Sequence, residues 1–451
     1  MFTSKLRFVM YISIHNLGIV ETAQIDLDGI TVLTGYNDSG KSFIGKMLYS
    51  IINTIKNALS FDEGAKIQQI TYNLERISIA ARRVVPKNVL RSGYTFTSDS
   101  LHVNLINHLV EYRLENVGQF LILFEQYKRE IFLELEDFNE KNSRIKKEDL
   151  ASMRKDIENQ FEVTEVLLKA PINEEEIYLH YFQTVIINGM FDGRINTIGN
   201  ESELIVTIIE GSTVLVNISI SKNRINSFMY NTQLPLFKED CVLIETPTIF
   251  SLDKYFYPIV NSTFRDRELP LHWHDLLLKI RVPSESSPIP FLPEAMEEIK
   301  NIINGDITYE NSERSYVYTR KGDQKIASSN IATGIKSFGL LQMLLRNGYL
   351  EPDIVLILDE PEVHLHPAWE IEYAKLLFTL SKAGVIILMT THSIYFIEAL
   401  VKYSKDYEME DKLRFYFSEK NDRLDATKFR EVTNDLDPIF KALSKSMRDI
   451  L

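Results

Sequence analysis

Gly35-Tyr36-Asn37-Asp38-Ser39-Gly40-Lys41-Ser42 follows the spacing G-x-x-x-x-G-K-[ST] at every fixed position. Upstream, Gly29-Ile30-Thr31-Val32-Leu33-Thr34 is a short apolar, β-branched run of the kind that forms a buried strand. Downstream, Phe43, Ile44, Met47, Leu48, Ile51 and Ile52 recur at helical spacing. Strand, glycine-bearing loop and helix in that order make a phosphate-binding loop, because the loop's backbone N–H groups and the helix N-terminus point together at one anion. In this reading Gly35, Asn37, Asp38, Ser39 and Gly40 shape the cradle. Lys41 reaches the β- and γ-phosphates of a nucleotide such as ATP, and Ser42 ligates Mg²⁺.

A second acidic strand end lies far down the chain. Ile354-Val355-Leu356-Ile357-Leu358-Asp359-Glu360 is a buried-strand run closing on two carboxylates, the pattern of a Walker B strand. Open α/β sheets bind ligands at the C-terminal ends of their strands, so these acids would emerge beside the loop. Asp359 would hold Mg²⁺ and Glu360 would orient and polarise an attacking water. A third run, Val385-Ile386-Ile387-Leu388-Met389-Thr390-Thr391-His392-Ser393, again delivers a polar group at a strand end, which makes His392 a candidate γ-phosphate sensor.

The 451 residues, 45% of them hydrophobic, supply material for about three domains on a length prior. No apolar run approaches the roughly 18 residues of a membrane span, and Met1-Phe2-Thr3-Ser4-Lys5 lacks the apolar core of a signal peptide, so a soluble, cytoplasmic protein is expected. The single cysteine, Cys241, reads as a buried strand residue within Cys241-Val242-Leu243-Ile244. A formal charge of −13 disfavours a surface that coats nucleic acid. Arg76, Arg82, Arg83, Lys87 and Arg91 form the best local basic stretch, more simply a solvated face than a DNA contact.

The ordered set Gly35 to Ser42, then Leu358-Asp359-Glu360-Pro361-Glu362-Val363-His364-Leu365-His366-Pro367, then Thr390-Thr391-His392-Ser393 resembles ABC-type AAA-family ATPases, the group that includes OLD-family and SMC proteins. The resemblance implies an α/β ATPase head with an accessory antiparallel β subdomain, ATP and Mg²⁺ as ligands, Glu360 as catalytic base and His392 as switch histidine. It assigns His364 and His366 to the D-loop and its turn rather than to a metal, and His272-Trp273-His274 carries little weight as a metal site either. It also implies a homodimer or higher oligomer, with each ATP closed between one subunit's phosphate loop and the other's signature segment. The candidate signature is Ser328 to Ser337, with Thr333 and Gly334 in the place that contacts the γ-phosphate. Gln68, Gln69 and Gln183 all remain open as the Q-loop glutamine.

More than three hundred residues separate Lys41 from Asp359, so large material is inserted between the two halves of one site. The expected organisation is an N-terminal lobe over 1–60, a helical or short coiled-coil insertion over 61–180, a β-rich accessory region over 181–300, and a C-terminal lobe over 301–451. Leu114, Val117, Leu121, Phe124, Lys128, Ile131, Leu135 and Phe138 step as a heptad seam, and Leu150, Met153, Ile157, Phe161, Thr164 and Leu168 form a second stripe after the polar break 139–143. Together they predict an antiparallel helical hairpin with a first arm of roughly 36 Å, or more plainly two amphipathic helices packed on the head. Leu204 to Ile209 and Val214 to Ile218, joined at Glu210-Gly211-Ser212, predict a β-hairpin; Pro283, Pro288, Pro290 and Pro293 mark a loop.

The tail after His392 holds an expected strand at Arg414 to Phe417 and a helix after Pro438, and the metal-dependent nuclease domain that OLD-family proteins carry there is not expected. Val242-Leu243-Ile244-Glu245-Thr246-Pro247, the segment Ala332 to Ser337 and the extension Glu360 to Pro367 together resemble stand-alone ATPases of bacterial antiphage systems, the PARIS type among them. That resemblance implies control of a separate effector, a Toprim-like nuclease or toxin, and a phage trigger protein as a further partner. The alternatives are a DNA-repair or chromosome-maintenance ATPase, for which DNA would be a partner, and a slow-turnover nucleotide-gated scaffold. No membrane partner is expected.

Overall fold

The computed structural model describes residues 10–82, 97–114, 117–141, 147–170, 173–195, 202–233, 236, 240–250, 269–284, 292–310, 315–322, 324–421 and 426–448. Arg83, Lys87, Arg91, Asn142, Ser143, Pro288 and Pro290 of the expectations above lie outside them. Contacts divide the chain into two compact units, Met1–Lys56 with Tyr178–Leu451, and Asn57–Ile177. The helix Lys41–Arg82 begins in the first unit and its later turns belong to the second.

The first unit is built on one mixed sheet. Its strands in chain order are β1 (Met10–Leu17), β2 (Val20–Asp26), β3 (Ile30–Gly35), β4 (Leu204–Glu210), β5 (Thr213–Ser221), β6 (Arg224–Tyr230) and β7 (Cys241–Ile244). After a separate three-stranded antiparallel sheet of β8 (Gly305–Glu310), β9 (Ser315–Arg320) and β10 (Gln324–Ala327) come β11 (Val355–Asp359), β12 (Ile386–Thr390), β13 (Leu413–Asn421) and β14 (Ala426–Glu431). The large sheet runs β6-β5-β4-β1-β2-β14-β13-β3-β12-β11-β7. Its β13-β3-β12-β11-β7 block is parallel, while β6-β5-β4-β1-β2 is antiparallel.

Composition explains that division. β3, β7 and β12 are buried at every position, as continuous apolar runs covered on both faces must be, whereas β4 and β5 alternate between buried and more exposed positions. The expected hairpin is β4–β5, but it is not a free-standing subdomain: β4 pairs with β1, so strands from 1–60, 181–300 and 301–451 share one sheet. The core over the parallel block gathers Val242, Leu277, Ile299, Phe338, Leu341, Leu344, Leu356, Leu377, Ile387 and Phe396 from strands and helices of that unit.

The second unit is a packing of four helical segments. The later part of Lys41–Arg82 contributes Ile70, Leu74 and Ile77, and helix Thr97–Tyr112 contributes Leu105 and Leu109 to a core shared with helices Val117–Lys141 and Lys147–Lys169. Lys128–Glu165 at 3.9 Å and Arg154–Glu136 at 3.4 Å pair the last two helices antiparallel. The hairpin is therefore present, but not as an isolated coiled coil. Its seam also differs by one residue: Phe120, Phe124, Tyr127, Ile131 and Leu135 are buried, while Leu121 and Lys128 sit at the edge. An ammonium at Lys128 favours the solvated rim, and the neighbouring Tyr127 ring packs inward in its place.

Candidate nucleotide site

The loop Gly35–Ser42 leaves the C-terminal end of β3, between β13 and β12. Its shape demands glycine at both ends. Gly35 has φ +141°, and a Cβ there would lie 1.8 Å from Ser418 Oγ; Gly40 has φ +86°, with its Cβ position 2.4 Å from Val20 Cγ2. Asn37 and Asp38 are exposed, and Ser39 is buried with its carbonyl accepting from Thr427 Oγ1 at 2.8 Å, which ties the loop to β14. The helix then starts at Lys41, so its unpaired first-turn N–H groups face the loop's concavity.

Lys41 Nζ donates to the Tyr36 carbonyl at 2.7 Å and to Ser39 Oγ at 3.2 Å, folding the side chain back over the loop. Burial pushes its pKa down, against the pull of Glu360 and Asp359. Ser42 Oγ donates to Asp359 Oδ1 at 3.0 Å, which brings the two distant motifs into direct contact. β11 and β12 are parallel with Asp359 opposite Thr390, and the Thr390 hydroxyl donates to Asp359 Oδ1 at 2.6 Å while accepting from the Glu360 N–H at 3.0 Å. Glu360 has φ +49°, an uncommon conformation for a residue with a side chain.

His392 Nε2 lies 3.2 Å from Glu360 Oε1. Burial first, then the Lys41 charge, push the imidazole down to about 4 despite Asp359. Near neutral pH this contact is thus one between a neutral ring and a carboxylate, not an ion pair. Burial and the neighbouring Asp359 in turn raise Glu360, with Lys41 opposing. A general base poised above the ordinary carboxylate range, beside a neutral hydrogen-bonding ring, suits the handling of a water molecule. Ser42 and Asp359 offer hard oxygen donors on adjoining elements, the donor type that Mg²⁺ takes together with phosphate oxygens, so the residues present fit that ion.

Thr333 and Gly334 open the helix Thr333–Arg346. The neighbours of Gly334 are Trp369, whose ring carbons lie 3.0 Å from a built Cβ, and the His364 carbonyl at 3.5 Å. These contacts set the start of this helix against the turn after β11 and the helix Pro367–Lys382. His366 accepts from Ala368 N through Nδ1 at 3.2 Å and caps the helix Pro367–Lys382, and His272 Nε2 meets Glu245 at 2.5 Å. Cys241 is buried in β7, where burial raises its thiol pKa. Of the three glutamines left open, Gln183 spends its amide on the Asn223 carbonyl and the Ile225 N–H, Gln69 bonds Asn73, and Gln68 belongs with Gln69 to the helical unit. None of these contacts leads to the loop.

Residues 228–398 match the family described as "AAA domain, putative AbiEii toxin, Type IV TA system". This stretch is similar to an AAA domain. It contains Thr333, Gly334, Asp359, Glu360 and His392, whereas the Gly35–Ser42 loop precedes it. A search of curated proteins finds no match. Among solved structures, the chain is similar to an SmcHead bound to the C-winged helix domain of ScpA, at 10% identity over 98% of this chain and 99% of that one, TM-score 0.38. It is similar also to the SMC head domain from Thermotoga maritima, at 10% identity over 94% and 99%, TM-score 0.37. A third is the Smc head domain with a coiled coil and joint from Pyrococcus yayanosii, at 10% identity over 98% and 100%, TM-score 0.37.

Around the acidic strand end at Asp359 and Glu360, four groups have roles that the sequence alone did not assign. Thr390 bridges Asp359 and Glu360, Glu362 holds the His392 backbone, Thr427 anchors the loop, and Glu245 directly follows β7. Ile244 pairs with Leu358, so Glu245 follows its strand as Asp359 follows β11, and both line a small cavity with Ser42, Lys46 and Thr390. The signal for Glu245 was available: Val242-Leu243-Ile244-Glu245 repeats the apolar-run-then-acid pattern of the Asp359 strand. Thr427 had none, because its partner is a backbone carbonyl nearly four hundred residues away.

Proposed function

We propose that this protein binds ATP with Mg²⁺ at Gly35–Ser42 and hydrolyses it to ADP and phosphate. The observation that carries the reading is the 3.0 Å contact from Ser42 Oγ to Asp359 Oδ1, with Glu360 and His392 directly beside it. In this reading the loop N–H groups and Lys41 bind the phosphates, and Ser42 and Asp359 hold the ion. Mg²⁺, when bound, supplies charge neutralisation on the phosphate oxygens. Glu360 orients water and accepts its proton, while neutral His392 has a single N–H to give, which holds the Glu360 carboxylate from Nε2 or turns from it to the transferred phosphoryl group. Thr333 and Gly334 would complete the site of a second copy, a reading supported by the place of Gly334 against the His364 carbonyl in the turn after β11.

The purpose of turnover, in our reading, is control of a separate effector, a nuclease or toxin, in antiphage defence of the PARIS type, with a phage protein as trigger. Support comes from the family description of residues 228–398, which names a toxin and a toxin–antitoxin system. The described part of the basic stretch gives less to a DNA-maintenance role: Arg82 is bonded by Asp99 and Glu134, and Arg76 lies over the Tyr72 ring. The chemical test uses two variants. Lys41→Ala is expected to abolish ATP binding in equilibrium titration. Glu360→Gln should retain ATP while losing about 10²-fold or more in hydrolysis, the scale of a general base. Unchanged turnover in Glu360→Gln would remove Glu360 from its role. Effector control is tested by infection assays on cells expressing this chain with and without its neighbouring genes; protection that needs none of them would end that part of the proposal.

A further inference from the structure

Glu362 is a buried carboxylate, 8% exposed, three residues past Asp359. The turn that bears it is closed by Val363 N donating to the Glu360 carbonyl at 3.1 Å and Leu365 N donating to the Glu362 carbonyl at 2.8 Å. One oxygen, Oε1, accepts from Thr391 Oγ1 at 2.6 Å and from the His392 N–H at 2.9 Å. The other, Oε2, is buried and makes no hydrogen bond among the described residues. A carboxylate buried with one oxygen idle is costly, and these two bonds, with one from its own backbone N–H, offset part of that cost while burial still raises its pKa.

Those bonds are not needed to start the following helix. Ser393 does that, accepting from Phe396 N at 3.2 Å with its hydroxyl held by Glu370. The Glu362 bonds go instead to the two residues that bring the chain from β12 to the imidazole. Thr391 is further pinned by its N–H to the Leu33 carbonyl at 3.2 Å, on the strand that feeds the phosphate loop.

We infer that Glu362 is the positioning residue for His392, and that one turn therefore carries both the carboxylate the imidazole faces, Glu360, and the carboxylate that fixes the imidazole's backbone. Displacing this turn moves both partners of the 3.2 Å contact together, so the pair behaves as one unit. The inference rests on the ATPase reading for its consequence and on hydrogen bonding alone for its structural content.

Two measurements keep these apart. In hydrogen exchange, the His392 amide should lose protection by about 10-fold or more in Glu362→Met, which keeps the volume but has no carboxylate oxygen. In Glu362→Gln, whose amide oxygen can accept the same two bonds, it should stay within about 3-fold of wild type. Should Glu362→Met fail to fold, Glu362→Asp, which withdraws the acceptor by one methylene, takes its place. In single-turnover hydrolysis, Glu362→Met should be slower by about 10- to 100-fold with ATP affinity within about 3-fold, and Glu362→Gln should recover most of the rate. The pair Glu362→Met/His392→Ala should be no slower than His392→Ala alone, because a group that acts through another adds nothing once that other is gone. Wild-type protection in Glu362→Met, equal deprotection in Glu362→Gln, or full additivity in the double variant would overturn the inference. A wild-type protein that hydrolyses no ATP would overturn the proposed function, and the exchange measurement would still decide the hydrogen-bond assignment.

Discussion

Single residues around the loop act through bonds to groups distant in sequence, and Glu245 carries the clearest pH consequence. Its Oε1 lies 2.7 Å from Lys46 Nζ, one turn past Ser42, and its Oε2 meets His272 Nε2 and, at 3.2 Å, Trp273 Nε1. Burial alone would raise this carboxyl, yet His272 and Lys46 hold it down from the usual 4.5 to about 2. A carboxylate depressed in the folded state contributes stability that is fully present above its unfolded value and is lost as pH falls toward the folded one. Denaturant unfolding should therefore show stability dropping between pH 4.5 and about 2, and Glu245→Gln should flatten that part of the curve. The shift corresponds to an upper limit of about 3 kcal/mol.

Elements of the sheet-bearing unit are joined by a buried polar network as well as by apolar packing. Lys279, on helix Leu271–Arg281, lies 2.8 Å from Asp240 and 2.9 Å from Asp275, and also bonds the Cys241 carbonyl at the start of β7. Asp275 accepts from Tyr49 at 3.2 Å, and Asn53 joins Tyr49 to Tyr181, so the helix after the loop, β7 and two further helices meet in one set of bonds. Burial would discharge Lys279, but Asp275 and Asp240 hold its pKa above the ordinary lysine range. Lys279→Met is expected to cost about 3 kcal/mol, because it leaves the half-buried Asp275 without its cation and Asp240 with Lys56 alone. Adding Asp275→Asn should return part of that loss. A midpoint unchanged by Lys279→Met in chemical denaturation would mean that water already serves those acids.

At the scale of the whole molecule, the ATP site as proposed needs a second copy, and mixing tests this directly. Lys41→Ala removes the loop's cation, and Thr333→Glu places a negative charge on the signature segment. Each variant alone should be inactive in steady-state hydrolysis. An equimolar mixture that re-equilibrates should regain about a quarter of wild-type turnover, since half the dimers pair unlike chains and one of their two sites is intact. No recovery from a mixture known to exchange subunits would place all the working groups within one chain.

Local chemistry in the sequence determined the glycine-bearing loop at Gly35–Ser42, the acidic strand end at Asp359 and Glu360, and the strand leading to His392. Each is a short apolar run ending in a polar signal, and hydrophobic patterning together with glycine's backbone freedom is readable over ten residues. The heptad seam was legible to within one position, and missed by one because periodicity cannot weigh Lys128 against Tyr127 for the inside. Strand order was not written locally. Only the folded sheet sets β3 between β13 and β12, aligns Asp359 with Thr390, and brings Ser42 to Asp359 across more than three hundred residues. The roles of Thr390, Glu362, Thr427 and Glu245 likewise depend on which backbone group or charge each one meets. Hydrogen bonds and buried ion pairs are pairwise and short-ranged, so their partners exist only once the chain has closed on itself.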